Sequence, residues 1–423
     1  MTLDRRELLK EVSGMAASLA FAKLRPASAL GITVTPNAGL PRKQDFDLAD
    51  GFTYLNAAYT HPIPRPAADA ARAYLAQRNK FAMPRPGSGG GSGEGFNAKT
   101  LFAELINAKT SEIAYVPSTS AGENLVVSAL GLDRPTDFNV VSDWLHFDGA
   151  LVHLLELKRG GLDVRIVKPT TDFRINIDDL ARVIDRKTKL VELSSTAMYN
   201  GFQHDLKAVC ELAHSHGAYV YADIIHTAGA EPFDVKASGV DFAACSSFKW
   251  LMADYGLGFL YARDDLLERI RRPQIGYYQA ADMTGHEPPF DIAGESEPVS
   301  WTFKHDATGH FETGSIGGAL GAGLAASLAY VKELGVANIQ AYRKPMIQKL
   351  RAEVPRRGFT CVTPPGSTAS IITFARKGLA ASDVPDKLAR ARVDVRVADN
   401  WMRVSPSIYN DMDDVDRLLE ALA

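Results

Sequence analysis

The chain has 423 residues, 46% of them hydrophobic, and its 47 basic residues nearly balance its 50 acidic ones. This length allows one or two packed domains, and the charge balance argues against nucleic acid and anionic membrane surfaces as partners. Three cysteines, Cys210, Cys245 and Cys361, are too few and too widely spaced for a disulfide framework or a metal site. The sequence has no fixed-period repeat and no apolar run of about 18 residues, which excludes solenoid and membrane-spanning architectures.

Residues 1–29 have the pattern of an export signal. Arg5 and Arg6 precede a mildly apolar stretch at residues 12–22, and the A-x-A cleavage pattern follows at residues 27–29. The arginine pair is typical of the twin-arginine pathway, so we expect a periplasmic or exported protein without stable membrane association after signal cleavage. The alternative is an ordinary amphipathic first helix, which the acidic residues within this segment favour.

Two helices, predicted at residues 67–81 and 97–109, flank a glycine-rich segment at residues 83–96. This segment is not a dinucleotide site, because no strand precedes it and no acidic residue follows at the required spacing. We interpret it as a mobile loop. A substrate-gating lid is the alternative, because glycine hinges permit that motion.

From residue 112 onward, short apolar runs alternate with helical segments, as where "AYVYAD" follows "HDLKAVCELAHSHG". In the clearest helix, apolar residues recur at helical spacing and Gly217 marks its end. Those apolar residues are Leu206, Val209, Cys210 and Ala213. Continuous apolar strands between helices predict an α/β fold with a mostly parallel sheet covered on both faces.

The pattern changes near residue 313, where a long helix rich in alanine, glycine and leucine leads to a second region of short strands and helices. We therefore predict three parts. They are a signal at residues 1–29, a large domain with an N-terminal arm at 30–312, and a smaller α+β domain at 313–423.

Polar residues cluster at the predicted carboxyl ends of the strands, where ligands bind in a covered parallel sheet. These residues are Thr119, Ser120, His146, Asp223, His226, Ser246, Ser247 and Lys249. A hydroxyl pair at a helix N-terminus can hold a phosphate, and burial makes a lysine lose its proton more easily. An amine, a carboxylate and a phosphate site together suit pyridoxal 5'-phosphate, PLP. Each residue alone has a plainer role as a surface cation, a helix cap or a turn, so the prediction depends on their joint occurrence.

Residues 214–261, "HSHGAYVYADIIHTAGAEPFDVKASGVDFAACSSFKWLMADYGLGFLY", resemble the central block of the class V aminotransferase family of fold-type I PLP enzymes. The resemblance extends from "YLNAAYTHPIP" to the C-terminus. It implies a large PLP-binding domain, a small C-terminal domain and a PLP-dependent transferase, isomerase or lyase. It further implies that Lys249 is the Schiff-base lysine, that Asp223 pairs with the ring nitrogen, and that His226 lies near the ring oxygen.

Other site residues follow from the same resemblance. The hydroxyls of Thr119 and Ser120, the amide of Ala121 and the hydroxyl of Ser246 match phosphate contacts, and His146 matches the residue that stacks on the ring. Ser315 in "FETGSIGG" matches the residue that reaches the phosphate of a neighbouring subunit, which implies a homodimer. Arg403 in "WMRVSPSIYND" matches the arginine that binds the substrate carboxylate.

The chain departs from the family pattern at several positions. Phe248 stands where many relatives have histidine, and Met198 aligns with a cofactor-contacting asparagine, with Asn200 as the alternative. Desulfurases need a mobile nucleophilic cysteine shortly before the arginine, and Cys361 lies too early for that role. The other two cysteines fit packing positions in a strand and a helix.

We therefore expect a PLP enzyme acting on an amino-acid or amino-acyl substrate. Arg403 would hold the substrate carboxylate, and the freed amine of Lys249 would act as general base at Cα. The first expectation is aminotransferase or isopenicillin N epimerase-like chemistry, in secondary-metabolite or siderophore maturation. The alternatives are a cysteine desulfurase or selenocysteine lyase, and a catalytically silent PLP-binding sensor or scaffold.

Overall fold

The computed structural model describes residues 39–81, 96–285 and 299–423. The predicted export signal and the glycine-rich segment up to residue 95 lie outside these ranges. Within them, a large α/β unit surrounds a seven-stranded sheet, and a C-terminal unit surrounds a four-stranded sheet.

The strands and helices are numbered in chain order. The strands are β1 (Thr53–Tyr54), β2 (Ile113–Val116), β3 (Asn139–Asp143), β4 (Asp163–Val167), β5 (Thr188–Ser194), β6 (Tyr219–Asp223), β7 (Phe242–Ser246), β8 (Gly258–Ala262), β9 (Thr284–Gly285), β10 (Val299–Ser300), β11 (Thr360–Cys361), β12 (Ile372–Ala375), β13 (Val393–Asp394), β14 (Arg396–Ala398) and β15 (Trp401–Val404). The helices are α1 (Arg65–Phe81), α2 (Ala98–Leu105), α3 (Thr119–Ala129), α4 (Asp148–Arg159), α5 (Ile177–Ala181), α6 (Leu206–Ser215), α7 (Val235–Ser238), α8 (Ala307–Phe311), α9 (Gly318–Leu334), α10 (Val336–Glu353), α11 (Val384–Arg390) and α12 (Met412–Ala421).

The large sheet has the strand order β2-β8-β7-β6-β5-β3-β4. Neighbouring strands within this sheet run parallel, except that β8 is antiparallel to both β2 and β7. Strands β7 and β8 are buried along their whole length, as expected for a sheet covered on both faces. The predicted α/β fold with a mostly parallel sheet is confirmed.

Helices cover both faces of this sheet. On one face, Phe102 of α2, Val209 of α6 and Leu324 of α9 belong to one buried cluster, and on the other Val126 of α3 and Leu154 of α4 belong to a second. The predicted apolar residues of α6 are all buried. Asp205 caps the start of this helix by accepting a hydrogen bond from the Ala208 amide, which satisfies an otherwise unpaired donor.

The C-terminal unit is an antiparallel sheet of order β11-β12-β15-β14 with α10, α11 and α12 packed against it. The N-terminal arm contributes to it, because β1 pairs in parallel with β13. Helix α9, although it follows residue 313, packs on α1 and α2 of the large unit. Among the described residues, no single helix has the length and apolar character of a membrane span. Two consecutive helical segments, Gly318–Leu334 and Val336–Arg357, meet these criteria only when they are taken together, and the pair is bent.

The sheet topology determines where the polar strand ends meet. Strands β6 and β7 are parallel neighbours, so Asp223 at the end of β6 and Ser246 at the end of β7 reach the same edge of the sheet. Helix α3 begins at the same edge, because the Thr119 amide donates a hydrogen bond to Ser246 Oγ at 2.8 Å. This edge therefore gathers residues that are far apart in sequence.

Candidate active site

A cavity of about 190 Å³ lies at this edge of the large sheet. Its lining includes six of the predicted site residues, namely Thr119, Ser120, Asp223, His226, Ser246 and Lys249. The cavity also contacts Ser118, Phe147, Met198 and Phe248. The structure thus brings the predicted amine, carboxylate and hydroxyls into one enclosed space.

Lys249 lies just after β7, with its exposed surface on this cavity. Burial lowers the pKa of its amine from 10.5 to about 8, because removal from water disfavours the ammonium form. The carboxylate of Asp223 acts in the opposite direction, whereas the charge of Arg403 lowers the pKa further. The free amine, which a Schiff-base lysine requires, is therefore far more abundant near neutral pH than for an ordinary lysine.

His226 contacts the lysine amine directly, with 3.2 Å between its Nε2 and Lys249 Nζ. Burial, followed by the charges of Lys249 and Arg403, lowers the pKa of His226 well below its usual value, so the imidazole is neutral. The Trp250 indole N–H, which can only donate, donates to His226 Nδ1 at 3.5 Å. With Nδ1 accepting from Trp250, His226 carries its proton on Nε2 and can donate it to Lys249 Nζ when that amine is unprotonated.

Asp223 supplies the buried carboxylate of the cavity. One of its oxygens, Oδ1, accepts a hydrogen bond from the Ile225 amide at 2.9 Å. Burial raises the pKa of this carboxyl, while His146, the Ile225 amide and Lys249 oppose that rise. A carboxyl in this environment is suited to hold a proton shared with a basic ring nitrogen, which is the role that the resemblance implies.

The phosphate end of the predicted site is the N-terminus of α3. Thr119 and Ser246 are joined reciprocally, because the Ser246 amide also donates to Thr119 Oγ1 at 2.9 Å. Ser118, which the sequence analysis missed, caps the helix by accepting a hydrogen bond from the Ala121 amide at 3.1 Å. Three neighbouring hydroxyl side chains at the start of an 11-residue helix form a suitable anion site.

The side chain that faces the cavity is one position away from His146, the residue predicted to stack on the ring. His146 is fully buried, binds Ser194 Oγ through Nδ1 at 2.8 Å, and does not line the cavity. Phe147 lines it instead, directly before α4. The backbone turn between β3 and α4 directs these adjacent side chains to different places, so Phe147 replaces His146 as the candidate for stacking. An aromatic residue next to the predicted histidine was the available sequence signal.

Two further positions were open in the sequence. Met198 lines the cavity, whereas Asn200 does not, because its amide nitrogen donates to the Phe173 carbonyl at 2.8 Å. Phe248 also lines the cavity and stacks on Tyr255, with 4.3 Å between ring centroids. The histidine contact expected in many relatives is thus replaced here by an apolar wall.

Arg403 lies on β15, on the C-terminal unit, and donates from Nη1 to the Met198 carbonyl at 3.0 Å. Its Nε is buried and has no hydrogen-bond partner among the described residues. Burial lowers the pKa of this guanidinium to about 10, with a further contribution from the charge of Arg396. A buried guanidinium with an unpaired N–H is suited to bind a carboxylate.

Ser315 and Ala121 lie apart from the Lys249 cavity, in a neighbouring cleft of about 710 Å³. Ser315 Oγ is 3.3 Å from the hydroxyl of Tyr277 and 3.1 Å from that of Tyr278. The predicted phosphate contact of Ser315 requires a second subunit, and it stays a prediction.

The donor set of the cavity fits PLP. It combines a lysine amine of lowered pKa, a buried carboxyl, a group of hydroxyls at a helix N-terminus and an aromatic side chain. When bound, the cofactor supplies an electron-withdrawing ring that weakens the bonds at the substrate's Cα. In this cavity Lys249 would hold it, Asp223 would face its ring nitrogen, and Ser118, Thr119, Ser120 and Ser246 would hold its phosphate.

Comparisons with known proteins agree with this fit. The model of the family "Aminotransferase class-V" matches residues 53–418. A probable cysteine desulfurase of Methanothermobacter thermautotrophicus is 28% identical over 349 residues, which cover 81% of this chain and 82% of that protein. A cysteine desulfurase of Haloferax volcanii is 26% identical over 350 residues, with coverage of 77% and 78%.

Solved structures show the same fold. The apo cysteine desulfurase from Thermococcus onnurineus superposes with a TM-score of 0.78 at 20% identity, covering 91% of this chain and 98% of that one. The cystine C–S lyase C-DES, in complex with its product cysteine persulfide, has a TM-score of 0.73 at 20% identity, with coverage of 88% and 97%. The chain belongs to the class V aminotransferase family of fold-type I proteins, and it is a PLP-dependent enzyme.

Proposed function

We propose that this enzyme breaks the carbon–sulfur bond of a cysteine-type amino acid, with the sulfur leaving on a fragment of the substrate. The observation that carries the proposal is a cavity that holds a lysine amine of lowered pKa but no thiol. The names of the relatives support sulfur chemistry, and they favour the desulfurase alternative over the aminotransferase or epimerase chemistry that we expected first. The cystine C–S lyase among the solved relatives supports release of sulfur on the substrate.

The environment of the three cysteines argues against a protein thiol as sulfur acceptor. Burial raises the pKa of the Cys245 thiol well above its usual value, and it raises that of Cys210 to about 12. Cys361 lies on β11 of the C-terminal unit, where Arg351 contacts its sulfur at 3.4 Å. All three cysteines of the sequence are described, and none lines the Lys249 cavity.

Residues in and beside the cavity have definite roles in this reaction; Arg403 does not line the cavity but bonds the carbonyl of Met198, which does. Arg403 binds the substrate carboxylate, and this contact orients the Cα–H bond towards Lys249. The Lys249 amine takes the Cα proton, and the C–S bond breaks with its electron pair leaving on sulfur. The sulfur fragment takes up a proton. One water molecule hydrolyses the remaining carbon fragment. Cystine thus yields pyruvate, ammonia and cysteine persulfide.

The test is a product analysis with the purified holoenzyme. We expect pyruvate and a persulfide from L-cystine, or pyruvate and a thiol from an S-alkyl-L-cysteine, with unchanged rates in Cys361→Ser. A desulfurase using a protein thiol would instead form alanine from L-cysteine and lose that activity in Cys361→Ser. Formation of alanine, or no pyruvate from any sulfur amino acid, would contradict the proposal.

A second candidate function is transamination or epimerisation of an amino-acid or amino-acyl substrate, including siderophore precursors. A cavity without a thiol is compatible with these reactions too, and the predicted export signal is compatible with maturation of a secreted metabolite. Incubation in D₂O distinguishes it, because Cα exchange with racemisation or keto-acid formation would occur while the C–S bond stays intact. If no substrate exchanges its Cα proton, the catalytically silent alternative replaces both candidates.

We further propose that the protein acts as a homodimer in the periplasm. The exposed Ser315, held beside two tyrosine hydroxyls in an open cleft, supports the dimer. The arginine pair near the N-terminus supports export by the twin-arginine pathway. Light scattering on the holoenzyme and cell fractionation of the full-length chain test these two proposals, which monomeric mass and cytoplasmic retention would contradict.

A further inference from the structure

A second polar cluster lies beside the cofactor cavity, and the reaction above makes no use of it. It consists of Glu123 on α3, His146 after β3 and Glu192 on β5. One ligand atom from each residue lies within 4.8 Å of the other two. The three side chains are essentially inaccessible to solvent, with exposed fractions of 2%, 0% and 0%.

Several atoms of this cluster have no partner among the described residues. By hydrogen-bond geometry they are His146 Nε2 and the carboxylate oxygens of Glu192, which face only the carboxyl of Glu123 and the ring of His146. His146 uses its other nitrogen for Ser194, so Nε2 faces Glu192, whose Oε1 is 3.5 Å away. Tyr221, opposite Glu192 in β6, donates its hydroxyl to the Thr119 carbonyl at 3.4 Å instead. Buried polar atoms without partners are rare, so those of this cluster need an explanation.

The cluster also lacks a fixed positive charge among the described residues. The ionisable groups that act on the two carboxyls are each other, His146, His153 and Asp223, and the described residues supply no lysine or arginine among them. Two buried carboxylates without a cation are strongly disfavoured, and a divalent cation would compensate both.

We propose that Glu123, His146 and Glu192 bind a divalent transition-metal ion, zinc being the expected metal. One imidazole nitrogen and two carboxylates are a donor set that zinc accepts in tetrahedral sites, with one position left for water. The 3.5 Å between His146 Nε2 and Glu192 Oε1 is close to the ligand spacing of about 3.3 Å that tetrahedral zinc requires.

A further histidine supports the site from outside. His153 Nδ1 is 3.1 Å from Glu123 Oε1, and its side chain is partly exposed. A histidine that hydrogen-bonds a carboxylate ligand fixes the orientation of that ligand, and such partners strengthen metal binding. Its position between the cluster and the solvent also gives the ion a route of entry.

The site would stabilise the region behind Asp223 and hold His146 away from the cofactor cavity, whichever reaction the enzyme catalyses. The metal-site proposal can therefore be tested independently of the C–S lyase proposal. Its test is the metal content of the purified holoenzyme after incubation with zinc and exhaustive dialysis, measured by inductively coupled plasma mass spectrometry. Glu192→Gln and Glu123→Gln remove a ligand charge at constant size. Glu231→Gln, another buried glutamate outside the cluster, is the matched control.

We expect about one zinc per chain in the wild type and in Glu231→Gln, and at least a tenfold loss in the two cluster variants. No bound zinc in the wild type, or full zinc content in both cluster variants, would overturn the proposal. If the variants do not fold, chelated wild-type holoenzyme is titrated with Co²⁺. A visible d–d absorption that saturates at one equivalent supports the site, and its absence contradicts it.

Discussion

Lys249 should destabilise the protein whenever it carries no cofactor. Its pKa is 10.5 in the unfolded chain and about 8 in the folded one, so folding at pH 7 buries an ammonium group. At about 1.4 kcal/mol per pH unit, the difference corresponds to about 3 kcal/mol. Replacement by methionine, which has similar length and no charge, should raise the free energy of unfolding of the cofactor-free protein at pH 7 by about 2–3 kcal/mol.

The pH dependence of this effect has a definite sign. Between pH 8 and pH 10.5 the unfolded wild type binds more protons at Lys249 than the folded one, so wild-type stability rises with pH across this window. Below pH 8 the destabilisation by the buried Lys249 ammonium is fully present, and above pH 10.5 it has disappeared. The advantage of Lys249→Met should therefore be largest at pH 7 and small near pH 10.5.

Denaturant unfolding of the cofactor-free proteins, followed by tryptophan fluorescence and circular dichroism, measures this difference. Lys332→Met is the matched control, because Lys332 lies on the surface in an exposed ion pair with Glu104. Loss of such a pair changes stability by about 0–1 kcal/mol. Equal stability of Lys249→Met and wild type at pH 7, or an advantage that does not shrink at high pH, would contradict this prediction.

Three further predictions concern ligand binding. Arg403→Gln should lower kcat/KM for the amino-acid substrate by roughly 10- to 150-fold, because it removes about 1.5–3 kcal/mol of charged hydrogen bonding. The rate with the decarboxylated amine, which has no carboxylate to bind, should stay nearly unchanged. An equal loss with both substrates would contradict the assigned role. Phe147→Ala should weaken PLP binding by about 2- to 13-fold while Phe147→Tyr retains it, as measured by absorbance titration. The rate of PLP capture by the cofactor-free enzyme should rise as pH passes 8, because the Lys249 amine must be unprotonated to react. Stopped-flow rates that are flat between pH 7 and pH 9 would speak against this.

The sequence predicted the fold because local patterns and tertiary structure agree over most of the large unit. In α6 the apolar residues at helical spacing are the buried ones, and Gly217 with φ of +80° ends the turn that follows. Such patterns could not predict that β8 is antiparallel to its neighbours, because a continuous apolar run indicates burial but not strand direction. The packing of α9 on α1 and α2 was equally hidden, because its surface is apolar on most sides.

The site was predictable where chemistry and strand ends coincide, as for Asp223 and Lys249. It was not predictable where a short turn decides which of two neighbours faces the cavity, as for His146 and Phe147. Glu123 and Glu192 were missed although a signal existed, since each interrupts a segment whose other residues are mostly buried. A charged residue inside a buried segment needs a partner, and the partner becomes visible only in three dimensions.

The assignment of Lys249 as the residue that binds PLP covalently in this cavity can be tested directly. The most direct measurement is borohydride reduction of the purified holoenzyme, followed by proteolysis and mass spectrometry of the modified peptide. We expect the near-visible absorption band to be bleached, the phosphopyridoxyl group to be found on Lys249, and Lys249→Ala to have neither the band nor the label. A wild-type protein without the band, or a label on another lysine, would contradict it.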